Sequence, residues 1–224
     1  MILHDKISAQ LPAWRDRMKS LAKEHADVVV DQVTVGQVVG GMRDIKSLVT
    51  DISYVDPAEG IRFRGMSIPE VLAALPKPDG AEMPYVGGLF YLLLVGSVPT
   101  KRQAEAVEKE WGKRAKVPGY VFKMLKAMPK DTHPMTLLSQ AVLALQNDSL
   151  FAKQYHEGIK KDAYWEPTLE DALNLTAKLP VIAAFIYRLK FKDGGIPKYD
   201  RKLDYGANFA RMMGVADEKG YADL

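Results

Sequence analysis

The chain has 224 residues, of which 47% are hydrophobic and 26% charged, so it can build a sizeable core and is not a disordered or low-complexity protein. Its 31 Lys and Arg against 28 Asp and Glu give a formal charge of +3, short of the concentrated charge of a dedicated nucleic-acid binder. The absence of cysteine excludes disulfides, thiolate metal sites and cysteine nucleophiles.

The first part of the chain combines one helix with short extended pieces. Apolar residues recur at three- and four-residue spacing between Ile7 and Leu21 and predict an amphipathic helix. The valine-rich stretch 28–35 predicts either a small hairpin or two extended pieces, and the Gly-Gly pair at 40–41 predicts a flexible joint. Leu48–Val55 and Ile61–Phe63 predict short strands around a turn at 56–60.

The longest uncharged run, Met83–Thr100, predicts a buried core helix rather than a membrane span. A span needs about 20 apolar residues, whereas prolines bracket this run and glycines interrupt it. Asp5 and Lys6 stand where the apolar part of a secretory signal would begin, and acidic residues disfavour a transit peptide. We therefore expect no membrane span.

Capping signals and prolines predict helices over most of the remaining chain. Ser67 with Glu70, and likewise Thr100 with Gln103, has the spacing of a capping box. Pro180 is expected to kink or split the longest helix. Asp131 or Thr132 is expected to cap the helix predicted at His133–Gln146. The predicted helices are Ile68–Leu75, Thr100–Ala115, His133–Gln146, Thr168–Arg188 and a last one that begins at Asp204 or Tyr205 and ends at Gly214. The fold class is therefore all-α, with a small β element near residues 28–64.

No pattern in the sequence establishes a metal or nucleophile site. The four histidines include no i, i+4 pair, and neither a phosphate loop nor a Gly-x-Ser-x-Gly turn occurs. His156 beside Glu157 could act as an acid or base, although a lone helical histidine is more often packed or solvated. The carboxylates Glu166, Glu170 and Asp171 are typical of first-turn helix charge, which is favoured over a catalytic pair.

Two basic positions point to an anion. Arg43 and Lys46 follow the Gly-Gly pair, where a backbone can approach an anion closely and a guanidinium can bind phosphate through two hydrogen bonds. Lys160 and Lys161 stand at a helix break, where a loop could direct both at a phosphate. Ordinary surface charge is the simpler interpretation of both positions. By themselves the residues indicate only a helical domain and leave anion binding open.

Several blocks of the sequence resemble consecutive blocks of eukaryotic or mitochondrial-type citrate synthases. They occur in the family's order over nearly the whole chain, and they are DPAEGIRFRGMSIPE, GLFYLLLVGSVPT, HPMTLLSQAVLAL, EDALNLTAKLPVIAAFIYR and LDYGANFARMMG. The resemblance implies an all-α fold with a large and a small domain, and a homodimer. It also implies the condensation of acetyl-coenzyme A with oxaloacetate to give citrate and free coenzyme A.

The resemblance assigns two residues to coenzyme A, which would be a substrate and not a permanently bound cofactor. Arg43 matches a family arginine that binds the phosphates of the coenzyme. Lys161 aligns with a second phosphate-binding arginine, contributed across the dimer interface. Lysine keeps the charge but lacks the bidentate guanidinium, so weaker geometry is expected. No metal ligand is expected.

The resemblance places no catalytic residue in residues 1–224. The family's catalytic histidines stand in His-Glu-Gly-Gly-Asn and Gly-Pro-Leu-His-Gly motifs, and neither motif occurs in the sequence. The tripeptide that begins at His156 mimics only the start of the first motif and aligns with an earlier family segment. We therefore expect residues 1–224 to be an amino-terminal portion of the large domain, without the small domain and the catalytic part. We expect this portion to be inactive on its own.

A partner is expected: a second copy, a complementing carboxyl-terminal chain, or a larger assembly. It would cover apolar faces that we expect to be exposed at Met83–Val98 and Pro180–Tyr187. The alternative function is a non-catalytic structural subunit, derived from this family, of a larger mitochondrial complex. The small net charge disfavours an RNA contact through Lys109–Lys116. The resemblance suggests the mitochondrial matrix. It does not distinguish a citrate synthase from a close relative that forms methylcitrate.

Overall fold

A computed structural model describes residues 1–46, 48–56, 58–192, 195–196 and 198–215. Its regular structure is mainly helical, which confirms the predicted all-α class. The α-helices are α1 (Ile2–Glu24), α2 (Val35–Val39), α3 (Ile68–Ala74), α4 (Val86–Val95), α5 (Lys101–Arg114), α6 (Gly119–Ala127), α7 (Pro134–Ala144), α8 (Leu150–His156), α9 (Trp165–Phe191) and α10 (Tyr205–Met213). Two 3₁₀ turns cover Leu145–Asp148 and Lys161–Ala163.

One small antiparallel sheet, in the order β1-β2-β3, precedes α3. Its strands are β1 (Ser53–Asp56), β2 (Gly60–Phe63) and β3 (Met66–Ser67). Asp56 pairs with Gly60 at the predicted turn, of which Pro57 lies outside the described residues. Residues 28–34 form no strand and Val35 begins α2, so the expected hairpin is wrong: the capping residue Thr34 starts a helix there instead.

The helix starts follow the capping chemistry in the sequence, with one correction. The predicted capping box of Ser67 and Glu70 opens α3. In α7 the cap is neither Asp131 nor Thr132 but His133, whose Nδ1 accepts the N–H of Met135 at 3.2 Å. The reason is the proline at the first helical position, which holds the preceding residue in the extended conformation of a cap.

Helix α9 lies at the centre of the core. It begins before the predicted Thr168 and continues through Pro180 without a break, so the expected split is wrong. It contributes to two clusters, one with α6, α7 and α10 and the other with α1, α4 and α5. The stretch Lys161–Phe191 is long and apolar enough to cross a membrane by length and composition, and much of it is buried here.

The two apolar runs that were expected to be exposed are largely packed. In α4 the buried side chains include Tyr91, Leu92 and Val95, and in α9 they include Ile182 and Phe185. This expectation was therefore wrong, because these runs pack against α5 in one case and against α6, α7 and α10 in the other. Other apolar side chains are exposed, and most of them lie in the stretch 28–55.

Candidate functional site

Arg43 lies in a turn that the end of α2 builds. The N–H of Met42 donates to the carbonyl of Gln37 at 2.8 Å, and the N–H of Gly41 donates to that of Val38 at 3.2 Å. These two bonds form a Schellman motif, in which Gly41 has the left-handed conformation (φ +83°) that favours glycine. The Gly-Gly pair is therefore a helix cap that leads the chain into Arg43.

The Arg43 side chain is exposed at this turn. Its neighbours Met42 (φ 62°) and Asp44 (φ 57°) are both left-handed, which brings the backbone sharply around Arg43. Its carbonyl accepts a hydrogen bond from Gln37 Nε2 at 3.3 Å. Within the described parts of the chain no ion pair or hydrogen bond engages the guanidinium, so its five donors can address an oxyanion.

The second predicted cation of this segment, Lys46, is also exposed. Its N–H donates to Asp31 Oδ2 at 3.4 Å, which links the segment after the turn to the one before α2. Arg43 and Lys46 therefore both lie in the exposed segment that follows α2. The guanidinium of Arg43 is the better phosphate ligand of the two, because it can form a bidentate contact.

Lys161 begins a 3₁₀ turn between α8 and α9. Gly158 reverses the chain there with φ +84°, and the Lys161 side chain is exposed. Arg15 of α1 holds the next residue, because its Nη2 donates to the Asp162 carbonyl at 2.5 Å. No hydrogen bond or ion pair joins Lys161 to Arg43 in the described structure. The two predicted phosphate ligands thus stand on separate elements.

The histidines have structural or solvent-facing surroundings. His4 packs against Trp165 with ring centroids 5.0 Å apart, and His133 caps α7. His156 is exposed at the end of α8, beside the ring of Tyr155, and touches no carboxylate pair. No group of three metal-ligating side chains occurs among the residues that the structure describes. The described chain therefore offers no assembled acid–base or metal centre.

The carboxylates after Trp165 hold helices in place. Asp171 accepts the N–H groups of Leu150 and Phe151, at 2.8 and 3.0 Å, and the Ser149 hydroxyl at 2.6 Å. Glu170 accepts from Arg114 at 3.1 Å. Asp171 therefore interacts favourably with the N-terminus of α8. Because α9 begins at Trp165, the expectation of first-turn charge holds for Glu166 and is wrong for Glu170 and Asp171. Neither carboxylate belongs to a catalytic pair in this arrangement.

A cleft of about 520 Å³ lies between α5 and the segment before α10. Its wall includes Glu108, which is 7% exposed and accepts the N–H groups of Gly87 and Tyr205 at 3.1 and 3.0 Å. Burial raises the pKa of Glu108, although those N–H donors act the other way. Burial also raises the pKa of Tyr199 to about 12, and the charge of Glu108 adds to it. Glu108 therefore joins the start of α4 to the start of α10 at the wall of this cleft.

Comparison with known proteins points to one family. The family model described as "Citrate synthase, C-terminal domain" matches residues 41–224. The mitochondrial "Citrate synthase 4" of Arabidopsis thaliana is 46% identical over 217 residues, which are 97% of this chain and 46% of that protein. The chain thus spans about half the length of the curated relatives it matches.

Solved structures show the same fold at low sequence identity. The citrate synthase of Pyrobaculum aerophilum aligns with a TM-score of 0.68 and 23% identity, over 88% of this chain and 49% of that one. The citrate synthase of the thermophilic archaeon Thermoplasma acidophilum, solved as a ternary complex with carboxymethyl coenzyme A and oxaloacetate, aligns with a TM-score of 0.61 and 18% identity, over 82% of this chain and 44% of that one.

Sequence reasoning named Arg43 and Lys161 as candidates and gave no role to Gln37 and Arg15. Gln37 contacts the backbone of Arg43, and Arg15 contacts the backbone of Asp162, next to Lys161. Asp171 was expected to be a first-turn charge and instead binds the start of α8. One signal was available: Thr34 and Gln37 have the spacing of a capping box, which marks the start of α2. The long-range contacts of Arg15 and Asp171 leave no such local pattern.

Proposed function

The chain belongs to the citrate synthase family, and on that premise we propose that it supplies the coenzyme A phosphate contact of a citrate synthase. The reaction is the condensation of acetyl-coenzyme A with oxaloacetate to citrate and free coenzyme A. The observation that carries the proposal is the exposed Arg43 guanidinium, free of other partners in the described structure, at the tip of the turn after α2.

Arg43 would act far from the reacting atoms. A guanidinium that binds the coenzyme phosphates fixes one end of a long substrate, and this remote binding energy helps to orient the thioester at the other end. Lys161 would add a single charged contact from a second copy of the chain. Because lysine lacks the planar, bidentate guanidinium of arginine, that contact fixes the orientation of the phosphate less firmly than arginine would.

The chemistry itself would lie in residues that the printed sequence does not contain. Removing a proton from the thioester methyl group needs a base and a group that stabilises the enolate. In the family an aspartate and a histidine do this, and the motifs that carry the histidines are absent from the 224 residues. We therefore assign residues 1–224 to the amino-terminal portion of the large domain. This portion would bind substrate and would carry no catalytic residue.

Compartment and partners follow from the family. The Arabidopsis relative is named as mitochondrial, which supports a place in the mitochondrial matrix. A homodimer, or a complementing chain with the catalytic motifs, would supply what these residues lack. The exposed apolar side chains between Val28 and Val55 support a partner that covers this segment.

The test is a titration of the chain with coenzyme A by calorimetry, comparing the native chain with Arg43→Ala. Loss of a charge-assisted bidentate contact predicts about a tenfold or larger increase in Kd. Lys123→Ala is the matched control, because it removes an exposed positive charge on α6, outside both predicted phosphate positions, and it should change Kd by less than about threefold. Equal effects of the two substitutions, or none from Arg43→Ala, would contradict the proposal.

A further inference from the structure

The side chain of Gln37 joins the start of α2 to the turn at its end. Its Oε1 accepts the Thr34 N–H at 3.0 Å and the Thr34 hydroxyl at 3.2 Å, while its Nε2 donates to the Arg43 carbonyl at 3.3 Å. One amide thus uses its acceptor for the helix cap and its donor for the backbone of Arg43.

The turn around Arg43 needs such a contact. Met42 and Asp44 are non-glycine residues with positive φ, a conformation that costs free energy and persists only when neighbouring contacts hold it. The Schellman bonds fix the chain as far as Met42 and no further. In the described part of the chain, the Gln37 amide makes the one hydrogen bond that reaches the main chain of Arg43.

We propose that Gln37 is a positioning residue that fixes the backbone of Arg43 and so aims its guanidinium at the phosphates of coenzyme A. This inference rests on the function proposed above for Arg43. Gln37 itself would not touch the coenzyme: its amide is occupied by Thr34 on one side and by the Arg43 carbonyl on the other. Its effect on binding would therefore pass entirely through Arg43.

The discriminating substitution is Gln37→Glu. Glutamate is a normal partner in a capping box, so its carboxylate still accepts from Thr34 and α2 keeps its start. It cannot donate to the Arg43 carbonyl, so the turn loses this bond. We expect coenzyme A to bind about three- to tenfold more weakly, the worth of one hydrogen bond, and trypsin to cleave after Arg43 several-fold faster.

Two controls separate positioning from charge and from folding. Gln32→Glu makes the same substitution at an exposed polar side chain before α2, whose described hydrogen bond uses only its backbone N–H, and it should change neither readout more than marginally. In an Arg43→Ala background, Gln37→Glu should cause no further loss of coenzyme A binding, because nothing remains to be aimed. Far-ultraviolet circular dichroism verifies that each variant is folded.

The proposal is overturned if Gln37→Glu and Gln32→Glu weaken binding equally, if the loss persists in the Arg43→Ala background, or if trypsin cleavage after Arg43 is unchanged. Failure of the proposed function looks different. In that case the native chain does not bind coenzyme A at all, while the trypsin comparison still decides whether Gln37 holds the turn.

Discussion

At the residue scale, Glu108 shows how one buried carboxylate joins two helices. Its two oxygens accept the N–H of Gly87, in the first turn of α4, and the N–H of Tyr205, which opens α10. These N–H groups have no partner within their own helices, so an anion placed between them satisfies both helix starts. Burial nevertheless raises the pKa of Glu108, because it disfavours the charged form more than the donors favour it.

This raised pKa predicts a pH dependence of stability. The folded chain holds the Glu108 proton more tightly than the unfolded chain does, so the stability gained is complete below the ordinary value of 4.5 and is lost as pH rises through the folded-state pKa. Glutamine does not titrate. The unfolding free energy of the native chain minus that of Glu108→Gln should therefore fall as pH rises from 4.5 through the folded-state pKa of Glu108.

Urea denaturation at a series of pH values measures this difference. The control is Glu157→Gln, which changes an exposed carboxylate at the end of α8, and its difference from the native chain should stay nearly constant with pH. A Glu108 difference that is flat, or that grows with rising pH, would show that burial does not govern this carboxylate.

At the element scale, α9 keeps its course through Pro180 because another helix replaces a missing hydrogen bond. A proline has no N–H, so the carbonyl four residues earlier, that of Thr176, loses its normal helical partner. The Tyr205 hydroxyl of α10 donates to this carbonyl at 2.8 Å. Burial raises the pKa of Tyr205 to about 12, so the hydroxyl keeps its proton at neutral pH.

The expected cost of removing this hydroxyl depends on Pro180. Tyr205→Phe should lower the free energy of unfolding by about 1 to 2 kcal/mol, because the Thr176 carbonyl is then unpaired. In a Pro180→Ala background the new N–H can bond that carbonyl, and the same substitution should cost less than about 0.5 kcal/mol. Chemical denaturation of the four chains measures both costs, and equal costs would contradict the account of α9.

The elements that sequence predicted well are those with local causes. The capping boxes that open α3 and α5, and the Asp56–Gly60 turn, depend on residues three or four apart, and the structure has them. The continuity of α9 depends instead on a hydroxyl 29 positions along the chain, which no local pattern contains. The hairpin alternative at 28–35 failed for a different reason, because β-branched composition outweighed the local capping box of Thr34 and Gln37.

The candidate site was predictable in its residues and not in its geometry. The charge and the glycine pair before Arg43 marked it, and the family resemblance gave it a ligand. The left-handed turn, and the amide of Gln37 beneath it, come from hydrogen bonds that only the folded chain displays. Lys161 was likewise marked by its place after a glycine, while its support by Arg15 spans 147 positions between Arg15 and Asp162.

At the scale of the whole molecule, the described chain divides into a packed helical body and a valine-rich segment with little burial. Val29, Val39 and Leu48 are 77%, 81% and 80% exposed, whereas Leu173 and Ile182 in α9 are fully buried. Apolar exposure of this kind supports the proposal above that a partner covers this segment. Arg43 lies on that segment, so the proposed coenzyme A contact and the proposed interface involve the same part of the chain.

The central claim is that these residues bind the acyl carrier and do not perform the condensation. The direct measurement is oxaloacetate-dependent release of free coenzyme A thiol from acetyl-coenzyme A, with the purified chain at a concentration that saturates coenzyme A binding. The account predicts no release above a blank without protein, because base and electrophile are absent. Sustained, oxaloacetate-dependent release that co-elutes with the chain would contradict it.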